Sequence, residues 1–221
     1  MKVRAILPAV VAATVFSTSA RMLHAQGLSV FAMGTVSSLY AKNLYSEFGT
    51  DFQSSYKVGG GLTLGAEFRM NRILGVEGSY TVSRNNLAVT NTTNSSEQGY
   101  GIHNQRFAAD AVAHAPISFL RLKPYLAAGV EFDHFSAPSS TTFSGLPNVT
   151  FGAANKVGVN YGGGVDWGFL PHIALRIDVR DHLTGIPTYG FPSSAATRAY
   201  FPVSGLANNL EYSAGIVFHV G

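Results

Sequence analysis

Apolar and polar residues alternate along most of the chain. In residues 58–69, Leu62 and Leu64 share one face of the pattern, and Glu67 lies on the other. A period of two places successive side chains on opposite faces of a β-strand. A second alternating segment follows immediately after residues 70–72, so the pattern predicts a hairpin with a tight turn.

The same two-faced pattern predicts eight strands in total. The further alternating segments are residues 74–83, 106–114, 126–133, 157–167, 173–182 and 210–220. Leu28 to Leu39 is the predicted first strand. In it, Phe31 and Met33 fall on the face opposite Val30 and Val36, so the pattern leaves the orientation of this strand open.

Short and long connections alternate strictly between the predicted strands. The short connections are residues 70–72, 116–123 and 170–172; the long ones run from Tyr40 to Tyr56, Asn85 to His103, Ser136 to Ala154 and Thr184 to Asn208. The long connections are rich in Ser, Thr, Asn, Gly and Pro, which is typical of solvated loops. This alternation places all long loops at one end of an up-and-down sheet.

Charge is confined to one face of the alternating segments. Eight of the twelve acidic residues and four arginines lie opposite the apolar face, which carries no charge in these segments. These residues are Glu67, Arg69, Glu77, Arg106, Asp110, Glu131, Asp133, Asp166, Arg176, Asp178, Arg180 and Glu211. The same face is crowded with glycine, and small residues suit the narrow interior of an eight-stranded barrel. We expect the charged side chains to pair there as a lattice that plugs the lumen.

The apolar face therefore points outward, toward lipid. A soluble barrel would carry Lys and Glu outside rather than Gly, Ser and Thr. Strands of about 10 tilted residues match the roughly 25 Å apolar band of an outer membrane. Aromatic residues near the short turns predict an interfacial girdle; they are Phe68, Phe119, Tyr125, Trp167 and Phe169. The predicted fold class is all-β, an eight-stranded up-and-down antiparallel transmembrane β-barrel.

The first 25 residues have the three-part layout of a secretory signal peptide. Met1 to Arg4 carries two positive charges, Ala5 to Phe16 is almost entirely apolar, and small polar residues follow. A membrane-spanning helix would need about 18 to 20 apolar residues. We expect residues 1–25 to be a cleaved signal peptide, and residues 26–221 to be the outer-membrane barrel domain.

Composition removes several other classes of function. We expect the signal peptide to be cleaved after Ala25, with Ala20 as the alternative site, and this cleavage changes the charge of the mature chain. Removing 25 residues leaves 12 Lys and Arg against 12 Asp and Glu, so no basic surface for nucleic acid remains. The chain has no cysteine, which excludes a disulfide scaffold and a Cys-based zinc site. The histidines are scattered along the chain, so we expect no metal site and no cofactor.

Three segments resemble the eight-stranded outer-membrane barrel proteins, often labelled porin-family or OmpA-like membrane domains. They are FRMNRILGVE at 68–77, KPYLAAGV at 123–130 and ALRIDVRD at 174–181. The resemblance implies a Gram-negative cell outer membrane, with lipid and lipopolysaccharide as surroundings. It also implies insertion by the outer-membrane assembly machinery, which reads a C-terminal strand. Gly215, Phe218 and Val220 resemble that assembly signal.

The expected function is a non-enzymatic barrel that is structural and whose surface loops are available for recognition or adhesion. A narrow porin-like channel for small solutes is the alternative. A lipid A-modifying enzyme is a third reading, because His134 and Ser136 lie two apart on the lipid-facing side. A His can activate a Ser nucleophile in that arrangement. The loop ligand is not predicted.

Overall fold

A computed structural model describes residues 27–40, 52–91, 97–116, 120–137, 152–189 and 206–220. These residues form nine strands and no helix. The strands are β1 (Leu28–Tyr40), β2 (Phe52–Tyr56), β3 (Gly59–Arg69), β4 (Leu74–Asn91), β5 (Glu97–His114), β6 (Leu122–Phe135), β7 (Ala154–Leu170), β8 (Ile173–Gly185) and β9 (Leu206–Val220). Within these ranges no helix is long and apolar enough to cross a membrane. The predicted signal peptide lies outside the described residues.

The strands form a closed antiparallel barrel. Each strand except β2 pairs with two neighbours, in the ring β1, β3, β4, β5, β6, β7, β8, β9 and back to β1. β2 pairs only with the far part of β4, where Tyr56 faces Leu87, whereas in β3 Gly60 faces Arg84. This one-residue shift shows that β2 continues the line of β3 after a bulge. The predicted eight-stranded up-and-down barrel is therefore confirmed.

The burial of the side chains alternates along the barrel strands as the sequence pattern predicts. Leu126 and Val157 are about 70% exposed on the outside, whereas the neighbouring Ala127 and Gly158 are buried inside. A wall of exposed apolar side chains suits lipid rather than water. The alternation therefore defines a polar interior and an apolar exterior.

The structure settles the orientation of β1. Phe31 and Met33 point into the barrel, where they are 5% and 3% exposed, and they pack with Ala174 and Val217. The interior is therefore not entirely polar. An apolar cluster lies among the charges and fills space that charged side chains alone would leave.

The predicted loop from Asn85 to His103 is mostly strand. β4 runs on to Asn91, β5 begins at Glu97, and the pairing continues as far as Thr90 opposite Glu97. The prediction failed because the sequence has no regular apolar period in this part of the hairpin, while the backbone pairing continues. The segment of the predicted Tyr40 to Tyr56 loop that forms β2 is likewise mostly polar and is a strand through its pairing with β4.

Two further observations correct the sequence analysis. Tyr125, predicted in the aromatic girdle near the short turns, points inward and is 3% exposed, because it shares the alternation of Ala127 and Glu131. The outward face also carries charge at one end, where Arg84 and Asp181 lie on the extended strands. We call this end, which holds the long connections, the outer end, and the opposite one the turn end.

Candidate functional site

The barrel interior holds the candidate site. All twelve predicted lattice residues point into the lumen, and eleven of them are buried to 6% exposure or less. The side chain of Arg69, at the turn end, is 22% exposed. Charges buried this deeply require partners, because isolated ones cost several kcal/mol.

Arg176 is the centre of the lattice near the turn end. Its Nε and Nη2 atoms donate to the two oxygens of Asp166 at 2.7 and 2.9 Å. Its Nη1 donates to Glu77 at 2.8 Å, and Nη2 also donates to Glu67 at 3.1 Å. One guanidinium group thus joins three carboxylates, with the two-pronged geometry toward Asp166 that makes such pairs strong.

Two aromatic rings hold the same guanidinium in place. Its carbon lies 5.0 Å from the ring centre of Phe31 and 4.6 Å from that of Tyr125. Such cation–π contacts add stability in a desolvated site. The Tyr125 hydroxyl also donates to Asp178, which links Arg176 to the next part of the lattice.

Arg180 forms the middle part of the lattice. It donates to Asp178 at 3.0 Å, to Asp110 at 2.5 Å and to Glu77 at 2.6 Å. Glu77 therefore bridges Arg180 and Arg176. Asn160 donates to the remaining oxygen of Asp110 at 2.8 Å. Charged side chains from opposite walls thus cross the lumen at this level.

Arg106 carries the lattice toward the outer end. It donates to Asp133 at 3.1 Å and to Glu211 at 3.0 Å, and its Nε lies 3.7 Å from Glu131. The Nδ1 of His182 donates to Glu131 at 2.5 Å. One arginine therefore faces three carboxylates in this region.

Two histidines are lattice members that the sequence analysis missed. His182 pairs with Glu131, and His114 Nε2 lies 2.5 Å from Glu67 at the turn end. The alternation places both on the same inward face as the neighbouring charged residues. From the sequence alone they were considered only as metal ligands and so were not included in the predicted lattice.

The region around Arg106 is short of hydrogen-bond donors. Five buried acceptor atoms from neighbouring strands have no partner among the described residues. They are Asn104 Oδ1, Glu131 Oε1, Asp133 Oδ2, Asn160 Oδ1 and His182 Nε2. No group of three or more His, Asp or Glu in the described ranges has the geometry to hold a metal ion. A bound proton or a water molecule is the remaining kind of donor for these atoms.

Two small cavities lie among the described residues of this part of the lumen. Cavities of about 20 and 10 Å³ lie on either side of Arg106, which lines both. The first is large enough for roughly one water molecule. The second lies between Arg106 and the inward-facing, buried Ile102 and Phe135. Arg106 is therefore the lining residue that the two cavities share.

Comparison with known proteins assigns the family. The family model for the outer membrane protein beta-barrel domain matches residues 9–213. The chain belongs to this family. The predicted resemblance is thereby confirmed, and the location is the outer membrane. No curated protein sequence matches the chain.

Solved structures share the fold of this outer membrane barrel at low sequence identity. OprG from Pseudomonas aeruginosa is 11% identical with a TM-score of 0.62, over 89% of this chain and 96% of that one. Neisserial surface protein A is 16% identical with a TM-score of 0.50, over 87% and 96%. AlkL, solved in lipid bilayers, is 18% identical with a TM-score of 0.50, over 88% and 90%. These similarities establish the fold alone.

In this outer membrane protein, His134 and Ser136 are not paired with each other. The Oγ of Ser136 donates to the carbonyl of His103 at 3.0 Å and accepts from its N–H at 3.1 Å. The His134 Nδ1 donates to Asn155 Oδ1 at 2.6 Å. A nucleophilic Ser needs a base within hydrogen-bond reach. The two side chains are engaged separately, so this arrangement does not activate Ser136.

The three residues of the expected assembly signal lie on β9. Phe218 and Val220 point outward and are each 46% exposed. Gly215 lies opposite Met33 of β1, and a Cβ there would overlap the carbonyl oxygen of Ala32. Steric fit is therefore a sufficient reason for glycine at this position.

Proposed function

We propose that this protein is a non-enzymatic outer membrane barrel with a closed lumen and an outer end that serves recognition or adhesion. The observation that carries the proposal is the lattice itself. Arg176, Arg180 and Arg106 each reach carboxylates on other strands and follow one another along the barrel. An eight-stranded barrel leaves room for little more than such side chains.

The long strands at the outer end support the proposed role in recognition. The far parts of β4 and β5, together with β2, form a three-stranded sheet that continues beyond the apolar band. The hairpin from Ser83 to Asn91 rises roughly 25 Å along the strand, at about 3.3 Å per residue. Binding residues are commonly presented on loops held by a rigid scaffold. The closed barrel is such a scaffold.

The proposal also covers the export of the protein, its assembly and its lipid surroundings. Residues 1–25 act as a cleaved signal peptide, and the assembly machinery reads Gly215, Phe218 and Val220. Outer-membrane lipid and lipopolysaccharide surround the folded barrel. Catalysis on lipid A is left out, because Ser136 bonds to the His103 backbone rather than to His134.

A narrow pore for small solutes is the second candidate. The observation that favours it is the pair of cavities on either side of Arg106. If Arg106 moved aside, these cavities would join. The two candidates therefore differ in whether the lattice opens in the unmodified protein.

Current recording in planar bilayers distinguishes the closed barrel from the narrow pore. We expect no steady single-channel current from the wild type. Replacing Arg176 and Arg180 together by Ala should raise the conductance, because two large side chains leave and the freed carboxylates attract water and cations. Arg72→Ala, at an exposed turn position, is the matched control and should stay silent. A stable open state of the wild type across many insertions would contradict the closed lumen and establish the pore.

A further inference from the structure

A row of polar side chains borders the apolar wall at its outer end. It consists of the outward-facing residues Arg84, His103, Gln105, His134 and Asn155, which we call the outer polar belt. These residues lie on the consecutive strands β4 to β7. Arg84 lies opposite His103, Gln105 opposite His134, and His134 opposite Asn155. The belt is therefore continuous across four strands.

The contacts within the outer polar belt engage each of its side-chain acceptor atoms except the Nε2 of His134. Arg84 Nε donates to His103 Nδ1 at 3.3 Å, and His134 Nδ1 donates to Asn155 Oδ1 at 2.6 Å. The hydroxyl of Tyr80 donates to Gln105 Oε1 at 3.1 Å.

Apart from the Nε2 of His134, the groups of the belt that remain unengaged are donors. They are the two terminal nitrogens of Arg84, the Nε2–H of His103 and the side-chain amide NH₂ groups of Gln105 and Asn155. These groups donate no hydrogen bond to any acceptor among the described residues.

The belt carries the positive charge of Arg84 without a neighbouring negative charge on the same face within the described ranges. No Asp or Glu lies on the outward face of β4 to β7 among the side chains that the structure describes. The outward-facing acid Asp181 is on β8, where its carboxylate already accepts from Tyr161 at 2.9 Å and from Asn208 at 2.8 Å. A cationic, donor-rich surface of this kind suits a phosphate group, since arginine matches phosphate oxygens in charge and geometry.

The surface next to the belt indicates that the phosphate belongs to a lipid. On the membrane side, apolar Val82, Phe107 and Phe132 are 40 to 52% exposed. The ring centres of Tyr80 and Phe107 lie 4.6 Å apart, with the two planes tilted by 36°, so the two rings form one aromatic surface next to the belt. A ligand that fits both surfaces has a phosphorylated head and acyl chains.

We propose that the outer polar belt binds the phosphate of a phosphorylated glycolipid in the outer leaflet. The inference deepens the proposed contact with lipopolysaccharide and rests on the proposed orientation, with the long connections outside. It does not depend on a closed lumen, because the belt lies on the outer wall. It also gives His134 a role other than catalysis, since its bond to Asn155 leaves the amide NH₂ of Asn155 available for the phosphate.

Lipid binding to the purified full chain in detergent tests the proposal. The probes are lipid A with both phosphates, the same lipid A without phosphates, and inorganic phosphate, with dissociation constants measured by native mass spectrometry. We expect the phosphorylated lipid to bind at least tenfold more tightly than the dephosphorylated one, and phosphate alone to bind weakly. Arg84→Gln should remove most of this preference, and His103→Gln should reduce it.

The matched control is Arg72→Gln, which removes an exposed arginine at the turn end and should leave the preference unchanged. Equal binding of the two lipids by the wild type would overturn the proposal, as would an unchanged preference in Arg84→Gln. Inorganic phosphate binding as tightly as the lipid would also overturn it, in favour of a soluble anion. Because conductance is a separate readout, failure of the closed-lumen proposal would be distinguishable from each of these results.

Discussion

Arg106 is the residue on which the outer part of the lattice depends. It faces Asp133, Glu211 and Glu131, and among the described residues no other arginine forms an ion pair with any of the three. We predict that Arg106→Gln lowers the free energy of unfolding by about 3 to 5 kcal/mol, because it leaves buried carboxylates unpaired. Urea unfolding in phospholipid vesicles measures this change.

Unlike Arg106→Gln, the substitution Glu131→Gln should not lower the free energy of unfolding. It removes one excess negative charge and supplies an NH₂ donor to a region in which five buried acceptors lack one. We predict that the free energy of unfolding stays the same or rises, since satisfying a buried polar group is favourable. A loss as large as that of Arg106→Gln would show that the region is not short of donors.

Sequence reasoning could identify the lattice residues but not their partners. The period of two places Arg176 and Glu67 on the inward face, yet they are 109 residues apart and meet only because the barrel closes. Which walls face each other depends on the stagger of the strands, which no single strand encodes. Tyr125 differs, because the alternation within its own strand already places it on the inward face, and its aromatic character alone suggested the girdle.

At the scale of the strands, Gly215 tests whether β9 is constrained by packing or by recognition. A Cβ at Gly215 would overlap the backbone of Ala32, whereas a Cβ at Gly78 would meet nothing within 4 Å. We predict that Gly215→Ala folds less completely into pure lipid vesicles and is less stable, while Gly78→Ala matches the wild type. No assembly machinery is present in that experiment. If Gly215→Ala folded normally there but failed in cells, glycine would serve recognition alone.

The lengths of the strands show where sequence patterns stop being informative. Inside the membrane, β8 alternates between apolar and charged residues, and the pattern predicts it well. The far parts of β4 and β5 have no regular apolar period, yet backbone pairing continues there as far as Thr90 opposite Glu97. The bulge between β2 and β3 likewise leaves no apolar signature in the sequence.

For the whole molecule, the central claim is that lipid contacts the outer wall and that the lattice closes the interior. β9 offers a matched pair of small neighbouring residues for testing it. Ser213 points inward, is 6% exposed and lines the larger cavity beside Arg106, whereas Ala214 is exposed on the outer wall. The chain has no cysteine of its own, so a single introduced thiol reports one position.

The most direct measurement is therefore the accessibility of Ser213→Cys and Ala214→Cys in lipid vesicles, with a membrane-soluble and a charged, water-soluble thiol reagent. We predict that the membrane-soluble reagent modifies the thiol at 214, and that neither reagent modifies the thiol at 213 until the protein is unfolded. Rapid modification of the thiol at 213 by the charged reagent in the folded protein would contradict the closed interior.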